Sequence, residues 1–212
     1  MSDIVRERVL LEALPEIPQS GFSQAALSAA GARAGISKRE LQDAFPDGPA
    51  SLVEAFSQWA DRIMVEKMAL QPAEQRVRDR VASAVRSRIE AIAPHKEAAR
   101  RAAAFLAQPQ HAPLATRLMM RSVDAMWRAA GDESTNFSYY TKRAMLAGVY
   151  ASTLAYWLSD ASQGHSATWT FLGRRIDDVM RIEKFRSKAG EAMAKLPDPF
   201  GILASFRGGR GK

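Results

Sequence analysis

The chain has 212 residues, of which 47% are hydrophobic and 25% are charged, and these proportions are ordinary for a globular protein. Its length allows one large domain or two small ones. The formal net charge of +7 and the pI near 10.0 favour an anionic partner, either nucleic acid or an acidic membrane surface. The absence of cysteine excludes disulfides, thiolate catalysis and cysteine metal sites.

The first residues, MSDIVRERVLLEA, alternate charges at helical spacing. They have neither the apolar core of a signal peptide nor the acid-poor composition of a transit peptide. We therefore expect the protein to stay where it is made, in a bacterial cytoplasm.

Three short helices are predicted near the N-terminus. The first ends at Pro15, the second runs from Ala25 to Ala34 after the N-cap residue Ser23, and the third begins at Ser37. A turn containing Gly35 joins the last two, as in a helix-turn-helix unit. The segment resembles the N-terminal module of the TetR-type regulators in Phe22, Ala29, Ala30, Ala34, Gly35, Ile36, Ser37, Leu41, Phe45 and Leu52.

In such a module the third helix can read DNA, and Lys38 and Arg39 would then contact phosphates or bases. Phosphates would repel Glu40 and Asp43 of the same helix, and no wider cluster of cations surrounds them. We therefore favour a solvated helix face over nucleic-acid binding. A TetR-type transcription regulator with a small-molecule pocket stays the alternative.

Helical periodicity continues through the rest of the chain. Apolar residues recur every three to four positions from Leu52 to Leu70, and a basic amphipathic helix follows from Ala73 to Ile92. The arginines of that helix, Arg88 among them, are expected on a solvated face because Asp79 and Glu90 interrupt the charge.

The segment from Ala144 to Ser159 contains no charge and is apolar on every side, which predicts a helix buried in the core. A bilayer span would need about 18 or more such residues. No segment has strand periodicity. The sequence therefore predicts an all-α, TetR-like bundle of about nine to ten helices, divided into a helix-turn-helix-like module (1–46), a helical body (47–186) and a tail (187–212).

No catalytic or metal-binding pattern is present in the sequence. His95, His111 and His165 lie in predicted loops or helix ends, and none has a second ligand three or four positions away. The sequence contains no Glu-x-x-His pair for a di-iron site and no nucleophile-elbow motif. We expect a protein that is not an enzyme and has no metal or cofactor.

A long match to a known family occupies the second half of the chain. Its residues are Asp124, Met126, Trp127, Gly131, Asp132, Ser134, Thr135, Phe137, Tyr139, Tyr140, Arg143, Ala144, Met145 and Leu146, followed by Trp169, Phe171, Leu172, Arg175, Ile176, Asp178 and Met180. They resemble the ubiquinone (coenzyme Q) biosynthesis accessory family called the ninth coenzyme Q biosynthesis protein. The resemblance implies a TetR-like fold that has lost DNA binding, a lipid-holding cavity, and a role beside the demethoxyubiquinone hydroxylase.

A cavity for an isoprenoid lipid or quinone intermediate is therefore expected among helices around 114–120, 145–158 and 168–180, with Met120 and Met180 in a flexible lining. The alternative is a packed core that contains the same methionines. The predicted lipid-binding residues are Leu118, Met119, Met145, Val149, Trp169, Leu172 and Ile176.

The resemblance also implies a surface that docks the hydroxylase. Aromatic residues beside methionine and arginine are typical of interface hot spots, although the same aromatics could pack as a core cluster. The predicted partner-binding residues are Met126, Trp127, Asp132, Tyr139, Tyr140 and Arg143.

A homodimer through the last two long helices is expected, because Gly148, Ala151 and Ala155 permit close helix approach. The alternative is that these small residues make room for the lipid.

The tail is predicted to bind reversibly to the surface of a bacterial inner membrane. Pro197 and Pro199 interrupt any helix, and an apolar cluster with basic residues follows. A disordered tail, or one that plugs the cavity, is the alternative. The predicted membrane-binding residues are Phe200, Ile202, Leu203, Phe206, Arg207 and Arg210.

Overall fold

The computed structural model describes residues 2–71, 76–132 and 137–194, and in these residues all regular structure is helical. The α-helices are α1 (Ser2–Ala13), α2 (Ile17–Ser20), α3 (Gln24–Arg33), α4 (Lys38–Ala44), α5 (Pro49–Ala69), α6 (Val77–Ile92), α7 (Lys96–Leu106), α8 (Ala112–Ala129), α9 (Phe137–Ser159) and α10 (Ser166–Ala194). Single 3₁₀ turns lie at Ala93–His95, Pro109–His111 and Gln163–His165. The predicted all-α fold is confirmed.

The chain divides into two compact units, Met1–Leu172 and Gly173–Lys212. Helices α1 to α9 and the start of α10 belong to the first unit. The cavity and the contacts described below lie within this first unit. The boundaries proposed at residues 46 and 186 stay predictions.

Local signals explain where the short N-terminal helices begin. The Ser23 hydroxyl accepts a hydrogen bond from the Ala26 amide at 3.1 Å, and this caps α3. Ser37 and Glu40 form a reciprocal capping box at the start of α4. Gly35 has a positive φ of 66° in the turn between the two helices, a conformation that glycine adopts without steric cost.

Helix α5 is at the centre of the core and packs against α1, α6 and α8. Its buried face contains Leu52, Phe56, Ala60 and Met64, which recur at three to four residues. Asp61 is buried on the same helix, so the core around α5 includes a carboxylate that requires a partner.

The composition of α9 predicted a helix that is buried on every side, but the structure shows that part of its surface is exposed. Tyr150 and Trp157 are buried, but one face of the helix is exposed. That exposed face includes the small residues Ala144, Gly148, Ala151 and Ala155. The prediction was wrong because small apolar side chains have little area, and exposing them costs little free energy. The homodimer expected through this face stays a prediction.

The end of α9 is fixed by Asp160. Its carboxylate accepts hydrogen bonds from the Ser162 amide at 2.8 Å and from the Thr168 amide at 3.0 Å. The Thr168 hydroxyl donates to the same carboxylate at 2.5 Å. The hydrogen bonds from Thr168 and then Ser162 hold the pKa of Asp160 well below its usual range. The charged carboxylate therefore joins the end of α9 to the start of α10.

Candidate functional site

An apolar cavity of about 340 Å³ lies among α5, α6, α7, α8 and α9. Protein interiors are normally close-packed, and ligand sites have volumes of about 300–1,000 Å³. Small side chains leave this space open, because an alanine ends at its Cβ atom. The alanines of the lining are Ala60, Ala99, Ala102, Ala103, Ala107, Ala115, Ala151 and Ala155.

The cavity has a buried end and an open end. Val53, Phe56 and Ile92 are buried lining residues. Ala107 and Ala155, which also line the cavity, are exposed to solvent. A ligand would therefore enter between the end of α7 and the exposed face of α9.

A polar network lies at the buried end. The Arg88 guanidinium donates through Nε to Asp61 Oδ1 at 2.6 Å, through Nη2 to the Ser57 hydroxyl at 3.0 Å, and through Nη1 to the Tyr150 hydroxyl. The Ser122 hydroxyl donates to Asp61 Oδ2 at 3.1 Å. Arg88, Tyr150 and the two serines line the cavity, and Asp61 lies behind them.

This network has no net charge, because the positive charge of Arg88 and the negative charge of Asp61 cancel within a buried ion pair. Burial, opposed in part by Arg88, raises the pKa of the Tyr150 phenol above its ordinary value. Tyr150 therefore presents a neutral hydroxyl at physiological pH. The buried end of the cavity offers hydrogen bonds without a net charge.

Leu118 and Met119 are the two predicted lipid-binding residues that line the cavity. Val149 and Leu172 are buried elsewhere, and Met145 is half-buried outside the lining. The cavity thus uses α8 and α9, as predicted, but its remaining walls are α5, α6 and α7.

The cavity lining does not include Trp169 or Met120, which were also predicted for this site. The Trp169 indole donates to the Gly164 carbonyl at 2.9 Å, and the Arg86 guanidinium lies 4.9 Å from a Trp169 ring centre. Ile176 belongs to the second unit, and the Met180 side chain is outside the described residues. Met120 is exposed. The lining is therefore rich in alanine, and the prediction of a methionine-rich lining was wrong.

The sequence did not identify the polar network. Arg88 was expected on a solvated face of α6, but its side chain is buried. The available signal was Asp61, which falls on the buried stripe of α5. Since aspartate is almost never fully buried unless it is paired, this position required a cation nearby.

The residues predicted to dock a partner cluster where α8 ends and α9 begins. Arg143 pairs with Asp124 at 2.6 Å and with Asp132 at 3.6 Å, and Lys142 pairs with Asp132 at 2.8 Å. The Trp127 indole donates to the Lys142 carbonyl at 3.2 Å. These contacts hold the two helices together at this corner.

Exposure differs sharply among the predicted docking residues. Tyr140 is 70% exposed, whereas Met126 is 0% exposed and Arg143 is also buried. Met126 and Arg143 therefore cannot offer a partner a surface to contact, and this part of the predicted docking patch is corrected. Trp127 and Asp132 are half-buried, and the Tyr139 side chain is outside the described residues.

The described residues contain neither a candidate metal site nor a candidate membrane-spanning helix. Across residues 2–71, 76–132 and 137–194, no three acidic or histidine side chains converge as a metal site requires. No helix in the same ranges has the length and apolar character needed to cross a membrane. The residues predicted to bind a membrane surface, Phe200 to Arg210, lie outside the described residues.

Comparison with protein families matches residues 112–183 to the COQ9 family model. The chain is 34% identical over 191 residues to the "Ubiquinone biosynthesis protein COQ9, mitochondrial" of Drosophila melanogaster, covering 88% of this chain and 58% of the relative. It is 32% identical to the Rattus norvegicus protein of the same name, with 90% and 64% covered, and 31% identical to the Homo sapiens one, with 90% and 63% covered. The chain thus spans about three fifths of the length of these relatives.

A TetR transcriptional regulator from Nitrosomonas europaea has a similar structure, with a TM-score of 0.64 and 18% sequence identity. The match covers 81% of this chain and 95% of the regulator. At this identity the likeness concerns the fold alone. The TetR-like fold and the family resemblance are both confirmed.

The expected cellular location is contradicted by these relatives. They are named as mitochondrial proteins, and the sequence predicted a bacterial cytoplasm with attachment to the inner membrane. The prediction was wrong because the composition of a single helix-forming segment does not identify a compartment.

Proposed function

We propose that the chain, which resembles the COQ9 proteins over most of its length, acts in ubiquinone biosynthesis and holds an isoprenoid lipid or quinone intermediate. The pathway in this proposal is taken from the names of the relatives, which are ubiquinone biosynthesis proteins. The observation that supports the holding role is the cavity of about 340 Å³, whose walls are mainly alanine and aliphatic side chains. Such a lining gains free energy when it covers the apolar surface of a lipid.

The chemistry of the cavity favours holding over conversion. Asp61 Oδ1 accepts a hydrogen bond from Arg88, and Asp61 Oδ2 accepts one from Ser122. The carboxylate is therefore engaged as a partner of Arg88 and is poorly placed to remove a proton from a ligand. We propose an accessory protein that is not an enzyme, and a separate ring hydroxylase of the demethoxyubiquinone type as the catalyst.

The proposed docking surface for this hydroxylase centres on Tyr140 at the start of α9. Its aromatic side chain is exposed, and Tyr140 precedes by two residues Lys142, which pairs with Asp132. A tyrosine beside charged groups is typical of an interface hot spot. Contact of the tail with a membrane surface belongs to the same proposal. So does a homodimer through α9 and α10, provided that it leaves the cavity opening at Ala155 uncovered.

Lipid extraction from the purified protein, followed by mass spectrometry, tests the holding role. We expect isoprenoid lipid to copurify with the wild type, and Ala155→Trp to reduce the amount because Ala155 lines the cavity at its exposed end. Ala144→Trp is the matched control, because Ala144 lies on the same exposed face of α9 but outside the lining.

Equal lipid in both variants, or no lipid in any protein, would count against the proposal. A gel shift with genomic DNA fragments, run beside the extraction, tests the regulator alternative. Retention of specific fragments would favour that alternative.

Replacing Tyr140 with alanine is expected to weaken binding to the hydroxylase by about 1–2 kcal/mol, the range between an ordinary contact and a hot spot. Stability should change by less than about 0.5 kcal/mol, since the side chain is mostly exposed. Isothermal titration calorimetry and thermal unfolding measure the two quantities. Ile4→Ala is the control, because Ile4 is 74% exposed on α1. Equal loss in both variants would mean that Tyr140 has no special role.

A further inference from the structure

We propose that the cavity selects lipids that end in a neutral hydrogen-bond acceptor, with that acceptor bound by the Tyr150 hydroxyl and the apolar chain directed to the open end. This inference rests on the proposed holding role. It adds the chemical class of the head group and the direction in which the lipid lies.

The Tyr150 hydroxyl has a hydrogen to donate. Its oxygen accepts a hydrogen bond from Arg88 Nη1, and no hydrogen bond that it donates is present in the part of the chain that the structure describes. Tyr150 is buried and lines the cavity. A buried donor without an acceptor is unfavourable, so an acceptor atom on a ligand would satisfy it.

The charge of the network selects a neutral acceptor over an anion. Arg88 would be the natural partner of a phosphate or carboxylate, but its Nε already donates to Asp61 at 2.6 Å. An anionic head would bring a second negative charge close to Asp61 in a buried site, where charges interact strongly. A carbonyl or ether oxygen adds no charge and can accept from Tyr150.

The shape of the cavity gives the direction of the lipid. Tyr150 and Arg88 are buried, whereas the lining residues Ala107, Ala151 and Ala155 are exposed. The cavity volume of about 340 Å³ is near the lower limit for ligand sites, whose volumes are about 300–1,000 Å³. One end of a long lipid fits, and the rest must leave through the opening. A head held in this way is shielded, so delivery to a catalyst requires its withdrawal.

Binding of three decyl-chain probes to the full chain tests this inference. The probes are decylbenzoquinone, decylbenzene and decyl phosphate, and their Kd values are measured by isothermal titration calorimetry, which reports binding of all three. We expect the wild type to bind the quinone most tightly. Tyr150→Phe should weaken quinone binding about tenfold, the effect of losing one buried hydrogen bond, with little change for decylbenzene. Tyr156→Phe is the matched control, since Tyr156 stacks on Phe171 outside the lining.

The outcomes separate this inference from the proposed function. Equal Kd values of the wild type for the quinone and decylbenzene would overturn it, as would tighter binding of decyl phosphate. Equal weakening of both neutral probes by Tyr150→Phe would also overturn it, and in each case lipid holding would stand. Binding of no probe would overturn the holding role as well. The comparison of probes on the wild type decides the inference even if Tyr150→Phe does not fold.

Discussion

Asp61→Ala is expected to lower the free energy of unfolding by about 3–5 kcal/mol, because it removes one of the two partners of a buried ion pair. The Arg88 guanidinium is buried and has Asp61 as its carboxylate partner at 2.6 Å. Without that partner the positive charge would be left uncompensated in the core, and Ser122 would lose its acceptor. Urea unfolding followed by circular dichroism at 222 nm measures the loss.

Two further variants show whether the buried charge is the cause. Asp61→Leu combined with Arg88→Met removes both charges and should recover most of the loss, since apolar replacements of whole buried pairs are often neutral or stabilising. Glu66→Ala breaks the exposed pair of Arg62 and Glu66, and should cost less than about 1 kcal/mol. If the double variant were as unstable as Asp61→Ala, the loss would have another origin.

Local chemistry is why the helices could be predicted from the sequence, whereas the TetR-like arrangement came from the family resemblance. The N-cap at Ser23 and the glycine turn at Gly35 act within a few residues, and each is where the pattern placed it. Gly131 likewise ends α8 with a positive φ of 81°. The periodicity of apolar residues then set the helices between these signals.

The cavity is different, because its polar network joins four helices. Asp61, Arg88, Ser122 and Tyr150 are far apart in sequence and meet only through tertiary packing. Arg88 is one of several arginines in α6, and its hydrogen-bond partners lie on other helices. A cavity has no residue pattern of its own. The alanines of α7 therefore indicate a helix but do not indicate the cavity that they line.

The cluster of residues where α8 ends and α9 begins was predicted in part. The alternation of aromatic and charged residues did indicate a cluster, and Trp127, Asp132 and Arg143 do meet there. The inward position of Met126 does have a signal in the sequence. Leu118, Ser122 and Met126 recur at four residues on α8, and all three are buried.

Met126→Ala is therefore expected to destabilise the protein by about 2–5 kcal/mol, the cost of truncating a methionine in a packed core. Its side chain is 0% exposed, so truncation would leave a cavity inside the core, and the surrounding side chains would have to rearrange to fill it. Met120→Ala is the matched control on the same helix, where a 38% exposed side chain should change stability by about 0.5 kcal/mol. Urea unfolding of both variants gives the comparison. A Met126→Ala variant with the stability of the wild type but weak hydroxylase binding would return this residue to the docking surface.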